Sequence, residues 1–288
     1  MKNAKSKPVI FIFGFYAVCW AFRVVEYFLI RTDQTIIGEA FIHKLIGIGL
    51  LAMALGAIGY SWHDIDFRFD RFISHIGKGA LLGGGVFILA YGVEMMVQTM
   101  AGNAAELNFY VTSYSTVGNR SLQGGILLLI FCIMGNIINV IMEEGVFRGL
   151  FCKLTEEKYS FWFACIFSSL LFGFWHIAQP IRNVLDGDQS TMGAMMSAIL
   201  LVITSTLLGI QYCMLNRVTG SIWAGMAAHF INNTAINLLH ISTASGVDEL
   251  QTLRISIAQT VSFVIVLVIY LKERRKKSAQ HTVNKKVL

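Results

Sequence analysis

Two adjacent carboxylates and an arginine stand at the end of a long apolar run, in NIINVIMEEGVFRGLF (136–151). Glu144 and Arg148 are four residues apart with the acid first, which is the favourable order for an ion pair on one helix. Glu143 lies about 100° round the same helix and lacks that partner. An ionisable group in an apolar span is costly and is a candidate for function by default. Glu143 is therefore the carboxylate that the ion pair does not explain.

Two histidines stand in later apolar segments. His176 shares a helix face with Phe172 in LLFGFWHIAQP, and His229 shares a stripe with Asn233 and Asn237 in GMAAHFINNTAIN. A carboxylate and a histidine kept away from bulk water can activate a water molecule as a general base. A second histidine with an asparagine one turn away offers hydrogen-bond donors for an oxyanion. Together these groups are the parts for attack of water on an amide carbonyl.

The elements that must position these groups are membrane helices. The chain has 288 residues, of which 55% are hydrophobic and 14% charged, with two prolines, whereas a soluble domain carries about 25% charged residues. The composition predicts an all-α polytopic bundle of about eight transmembrane helices around a polar cavity. One domain is expected over 1–271, with a basic, disordered tail over 272–288. The predicted spans are 8–30, 38–61, 79–100, 122–152, 160–178, 192–215, 220–240 and 251–271.

The basic residues of the connecting segments predict the orientation in the membrane. With eight spans, the termini and loops 62–78, 153–159 and 216–219 lie on one side and carry sixteen lysines and arginines, whereas the other side carries four. Both termini are therefore expected in the cytoplasm. The net charge of +6 resides mostly in the tail. It indicates topology and contact with anionic membrane lipids, and no nucleic-acid binding.

Five further ionisable groups lie in the first three spans. Arg23 and Glu26 are three residues apart, which predicts a structural ion pair on one helix face. His43 and Lys44 lie near a helix end and are expected to reach the membrane interface. Glu94 has no partner in its own helix, so it is expected to be protonated or to bond to another span.

The depths of the candidate residues agree with a single site. At a rise of ~1.5 Å per residue from the cytoplasmic helix ends, Glu143 lies about 18 Å deep, His176 about 24 Å and His229 about 14 Å. All three can therefore meet between the midplane and the cytoplasmic side.

Other proteolytic schemes fit the sequence less well. No HExxH motif occurs, so the helical zinc site of many metalloproteases is absent. No serine stands in GxSxG. The aspartates of Asp-Gly-Asp (186–188) are predicted to lie in a loop, which argues against a catalytic pair of intramembrane aspartates. The five cysteines show neither metal spacing nor a disulfide framework.

Three motifs together resemble a known family. EEGVFR (143–148) is similar to its EExxxR motif, FGFWH (172–176) to its FxxxH motif and HFINN (229–233) to its HxxxN motif. These are the motifs of the type II CaaX prenyl endopeptidases, also called the CPBP or Abi family of membrane peptidases. They occur in the family's order, and the resemblance covers roughly residues 125–242.

The resemblance implies an eight-helix intramembrane endopeptidase with a site open to the cytoplasm. It implies that Glu143 and His176 activate the water, that His229 and Asn233 stabilise the oxyanion, and that the remaining two residues, Glu144 and Arg148, orient the site. It also leaves room for a divalent metal such as zinc, because Glu143, His176 and His229 could supply three ligands and leave one position open.

We therefore expect a hydrolase that cleaves a peptide bond of a membrane-associated or lipidated protein or peptide. A non-catalytic bacteriocin-immunity or interaction protein on the same fold is the alternative hypothesis. The six motif residues are all present, which favours the peptidase, because a scaffold could lose Glu143 freely. The short chain and basic tail favour a prokaryotic cell membrane protein.

Overall fold

The protein is an all-α membrane bundle in a computed structural model, which describes residues 3–35, 40–112, 121–122 and 125–287. The helices of the first half are α1 (Asn3–Ser6), α2 (Pro8–Val24), α3 (Ile42–Ile58), α4 (Phe72–Met100) and α5 (Gly125–Glu143). Those of the second half are α6 (Cys152–Glu156), α7 (Phe161–Trp175), α8 (Ala178–Leu185), α9 (Thr191–Thr219), α10 (Trp223–Leu238) and α11 (Gln251–Val287).

Two segments continue α-helices as π-helices, Val25–Ile30 after α2 and Glu144–Phe151 after α5. Short 3₁₀ turns occupy Thr32–Gln34 and Trp62–Ile65. All eight predicted spans therefore coincide with helices in the part of the chain that is described. The tail differs from the prediction, because α11 runs on to Val287 in place of a disordered segment.

Six of the described helical segments are long and apolar enough to cross a membrane by length and composition. Two of the eight predicted spans, α3 and α10, are not among these six. Helix α3 is apolar but has 17 residues. Helix α10 has 16 residues, and its polar side chains, including His229 and Asn233, lower its hydropathy.

Contacts between connecting segments show that successive long helices alternate in direction. At one end, Lys158 donates to the Ser6 carbonyl at 3.2 Å, and the Ile222 amide donates to the Asp66 carbonyl at 3.0 Å. We call this the terminal end, because α2 begins and α11 ends there. At the opposite, distal end, Arg31 pairs with Asp186 at 2.7 Å. Both termini therefore lie on one side of an eight-segment bundle.

Short strands lie at the distal end. Strand β1 (Glu106–Phe109) pairs antiparallel with β4 (Leu239–Ser242), with Leu107 opposite Ile241. Strand β2 (Val111–Thr112) pairs antiparallel with β3 (Ser121–Leu122). The β1–β4 pair ties the end of α10 to the segment that follows α4, and so fixes the helix that carries His229.

Two ionisable groups of the first spans, Glu26 and His43, have a partner that was not expected from the sequence, and a third, Glu94, bonds to another span as expected. Glu26 does not pair with Arg23; it accepts from the His43 ring at 2.6 Å and from the His43 amide at 2.5 Å. His43 is therefore buried, with no route to the membrane interface. Glu94 pairs across the bundle with Arg254 at 2.8 Å. Glu26 does not pair within its own helix because His43, on α3, offers both a ring donor and a backbone amide donor.

Candidate active site

The π-helical segment begins within the first motif, at Glu144. Two glycines let it approach neighbouring helices closely. A Cβ on Gly145 would lie 2.8 Å from Leu51, and one on Gly149 would lie 3.2 Å from Ile65. A π-helix has a wider turn than an α-helix and is frequent at functional sites.

His229 lies between the two carboxylates. Its Nδ1 lies 2.8 Å from Glu144 Oε1, and its Nε2 lies 3.7 Å from Glu143 Oε2. The imidazole also stacks on the Tyr212 ring, with centroids 5.2 Å apart. One histidine thus contacts both acids of the first motif, which the sequence separation of 85 residues did not suggest.

Glu143 has a second partner on α7. Trp175 donates through Nε1 to Glu143 Oε1 at 3.1 Å. The glutamate is 3% exposed. Trp175 stands directly before His176, so the FGFWH motif supplies both the histidine and a hydrogen-bond donor to Glu143. Sequence reasoning missed Trp175, and its place inside the motif was the available signal.

The ring orientation of His176 is set by its own helix. Its Nδ1 lies 2.8 Å from the Phe172 carbonyl, one turn earlier, and the two rings meet edge to face at 4.7 Å. A carbonyl oxygen only accepts, so Nδ1 carries the proton. In the neutral ring, Nε2 is then the acceptor that can take a proton from a water molecule.

Arg148 is enclosed by aromatic rings and one acid. Its guanidinium carbon lies 3.9 Å from the Phe172 ring centroid and 5.5 Å from that of Tyr212. Nη1 is 3.3 Å from Glu144 Oε1, an ion pair by distance. Both side chains are at most 1% exposed. The predicted i,i+4 pair therefore forms, and its glutamate is shared with His229.

A cavity of about 110 Å³ connects these groups. It has room for several water molecules. The lining residues are Arg23, Tyr27, Ala40, Lys44, Asn139, Glu143, His176, Gln179, His229 and Asn233. Four of the six predicted site residues thus share one polar cavity, while Glu144 and Arg148 lie behind His229 and Phe172. Helices of the first two spans complete the wall, which the motif resemblance did not cover.

The cavity is closed towards the terminal end. Phe147, Leu150 and Phe151, the next turns after Glu143, are at most 1% exposed and belong to the main apolar cluster. Among the described lining residues, those that retain some exposure are Lys44, His176 and Gln179. Lys44 lies in the first turn of α3, and Gln179 in α8, both at the distal end. The described entrance therefore faces away from the two termini, in contrast to the expectation that the site opens on their side.

The described residues do not form a metal centre. Among them, no group of three His, Cys, Asp or Glu side chains is placed to hold a metal ion, whereas zinc needs three protein ligands at about 2.0–2.3 Å. Glu143, His176 and His229 are neighbours, but they are not placed as a three-ligand set. We therefore derive no step through a metal.

Comparison with known proteins supports the motif resemblance. No curated protein and no solved structure matched the chain. A family model described as "Type II CAAX prenyl endopeptidase Rce1-like" matches residues 125–235. This range contains all three motifs and α5 to most of α10, and leaves out the helices that carry Arg23 and Lys44. The chain is thus a multi-pass membrane protein whose residues 125–235 are similar to the Rce1-like type II CAAX prenyl endopeptidases.

Proposed function

We propose that the protein is an intramembrane endopeptidase that hydrolyses a peptide bond of a membrane-associated or lipidated, CaaX-type protein or peptide. One observation carries the proposal: Glu143, His176, His229 and Asn233, from three separate helices, line the same polar cavity. The family match supports the same reaction class.

In this proposal Glu143 and His176 activate a water molecule. Nε2 of His176 and the carboxylate of Glu143 accept from the water as it attacks the carbonyl carbon. The Trp175 hydrogen bond holds one oxygen of Glu143 and leaves Oε2 towards His229 and the cavity. The proton taken from water then passes to the leaving amine as the C–N bond breaks.

His229 and Asn233 are proposed to stabilise the oxyanion. They are one helical turn apart on α10, and the Asn232 amide donates to Asn233 Oδ1 at 3.2 Å, which orients that side chain. His229 donates to the oxyanion through Nε2 when its ring carries a proton on both nitrogens, because Nδ1 already donates to Glu144; this second proton is separate from the one taken from the water. Glu144 and Arg148 are positioning residues for this histidine.

The test is cleavage by purified protein in detergent or liposomes of a lipidated peptide and its unlipidated counterpart. Glu143→Gln and His176→Asn should each lower kcat by roughly 10²–10⁴-fold, the usual contribution of a general base. Glu106→Gln is the matched control, because Glu106 is an exposed carboxylate on β1. If Glu143→Gln cleaves at the wild-type rate, the base is misassigned; if wild type cleaves neither peptide, the non-catalytic interaction protein is favoured.

We further propose that the protein resides in a prokaryotic cell membrane with both termini in the cytoplasm, on the charge asymmetry of its connecting segments. Its partners would be membrane lipids and the peptide substrate.

A further inference from the structure

One polar side chain on α5 lines the cavity but belongs to none of the three motifs. Asn139 lies four residues before Glu143 and lines the same cavity. We propose that the side-chain oxygen of Asn139 accepts a hydrogen bond from a backbone N–H of the substrate and so fixes the peptide beside Glu143. The proposal rests on the proposed peptidase function and adds a substrate-binding residue to it.

The helix places Asn139 next to the proposed base. Both residues lie in the regular part of α5, which ends at Glu143 before the π-helical segment begins. Residues four apart on an α-helix share a face, with Cβ atoms about 5–6 Å apart. Asn139 lies one turn nearer the distal end, because α5 runs from that end towards the terminal end. A peptide that enters from the distal end therefore meets Asn139 before it reaches Glu143.

The side chain of Asn139 is buried without a protein partner for its oxygen. It is 7% exposed, and Oδ1 has no hydrogen-bond partner among the described residues. A buried acceptor that stays unpaired is destabilising. Asn136, on the same helix, differs in this respect, because its Nδ2 donates to Asn237 Oδ1 at 3.1 Å and ties α5 to α10. Helix packing therefore accounts for Asn136 and leaves the oxygen of Asn139 for a donor from outside the chain.

A peptide N–H is the donor that fits this oxygen. Each backbone unit of a substrate offers one N–H donor and one carbonyl acceptor. In the proposed mechanism the scissile carbonyl faces His229 and Asn233 on α10, whereas Asn139 reaches the cavity from α5. Successive N–H groups of an extended chain point to opposite sides. Asn139 can therefore bind only one N–H near the scissile bond.

This contact would fix the register of the substrate without reading its side chains. Every residue except proline carries a backbone N–H, so the hydrogen bond gives affinity for any sequence that lacks proline at the contacted position. Because Asn139 lies one turn from Glu143, the bond would hold one particular peptide group opposite the base. Proline at the contacted position should be rejected.

The test uses the lipidated peptide and a series in which one non-scissile amide at a time is replaced by an ester, which removes a single N–H. Wild type should lose about 3–10-fold in kcat/KM at one ester position, the loss expected of one neutral hydrogen bond. Asn139→Leu should lose a similar factor on the all-amide peptide and show no further loss at that position. Asn139→Asp keeps an oxygen acceptor and should keep the dependence on that ester position.

Thermal unfolding in detergent separates substrate binding from a structural role. Asn139→Leu should have a Tm equal to or above that of wild type, because it removes a buried acceptor that has no partner. Asn103→Leu is the matched control, since Asn103 donates to Gln98 outside the cavity; it should keep the wild-type ester dependence. A lower Tm of Asn139→Leu together with the full wild-type loss at the sensitive ester position would assign Asn139 to the fold.

Two results with wild type would overturn different parts of the argument. Cleavage of every ester peptide at the all-amide rate would overturn the contact with Asn139 and leave the peptidase intact. No cleavage of any peptide, the all-amide one included, would instead overturn the proposed function itself.

Discussion

His229 Nδ1 lies 2.8 Å from Glu144 Oε1, and this contact decides which nitrogen of the ring faces Glu143. An ionised carboxylate only accepts hydrogen bonds, so Nδ1 carries a proton and Nε2 is directed to the reacting side. The second glutamate of the motif therefore acts through the histidine, and its removal should affect turnover more than substrate binding.

Glu144→Gln tests this role. The amide keeps the shape of the side chain but can present its NH₂ to Nδ1, which favours the other tautomer. We expect kcat to fall roughly 10²–10⁴-fold with KM little changed, as when the orienting acid of a catalytic triad becomes its amide. Steady-state kinetics on the lipidated peptide checks this, with Glu249→Gln on the distal surface as control. A rise in KM at unchanged kcat would contradict a positioning role.

Arg148→Ala should destabilise the bundle. The change leaves Glu144 without its cation and leaves a void beside Phe172, and breaking a buried pair costs ~3–5 kcal/mol. We expect a lower Tm in detergent, and a smaller loss for Arg148→Lys, which keeps the charge without the stacked plane. A Tm of Arg148→Ala equal to that of wild type would show that the guanidinium is not buried as described.

Asp248, at the distal end, makes a pH-dependent contribution to the stability of the fold. Burial raises the pKa of this carboxyl, but hydrogen bonds from His240, Arg254 and the Ile241 amide outweigh it and leave the pKa lowered. A lowered folded-state pKa stabilises the fold above the unfolded value of about 3.9, and that stability is lost as pH falls through the folded value.

Asp248→Asn should therefore lower Tm at pH 7 and narrow the difference in Tm between pH 7 and pH 3. Thermal unfolding in detergent measures both. Glu249→Gln, the exposed neighbour, should change neither. If Tm of Asp248→Asn falls between pH 7 and pH 3 by as much as Tm of wild type, another carboxylate is the source of the acid sensitivity.

The orientation of the cavity in the membrane is a further prediction. Cysteines at Ser278, near the terminal end, and Asp188, at the distal end, can be labelled with an impermeant reagent once the five native cysteines are removed. Ser278→Cys should react only after permeabilisation, and Asp188→Cys in intact cells. This result would direct the cavity entrance outward, away from the cytoplasm. The reverse pattern would turn the entrance to the cytoplasm and contradict the charge-based topology. Ser115, which the eight-span topology expected from the sequence puts on the side opposite the termini, lies outside the described residues.

The sequence predicted the membrane helices and the residues that form motifs. Long apolar runs forced helices, and the spacing in EEGVFR and HFINN placed Glu144 with Arg148 and His229 with Asn233. Contacts between residues far apart in the sequence could not be predicted from it. The residues around Arg23 did not indicate that it would stack on Trp175. Those around Glu26 did not indicate that it would accept a hydrogen bond from His43 on the next helix. The β1–β4 pair was also missed, because its strands are short and mostly polar or exposed.

The shortness of α3 has a consequence for the surrounding lipid. Its 17 residues cover about 26 Å, less than the roughly 30 Å of a bilayer's hydrocarbon core. Leu45 and Met53 are exposed on its outer side, so lipid tails meet this helix directly. Such hydrophobic mismatch is relieved by local thinning of the bilayer. The bilayer beside Lys44 should therefore be thinner than elsewhere. Thinning would bring water and headgroups to the depth of the cavity. It would also shorten the path by which a peptide anchored in the lipid reaches Glu143.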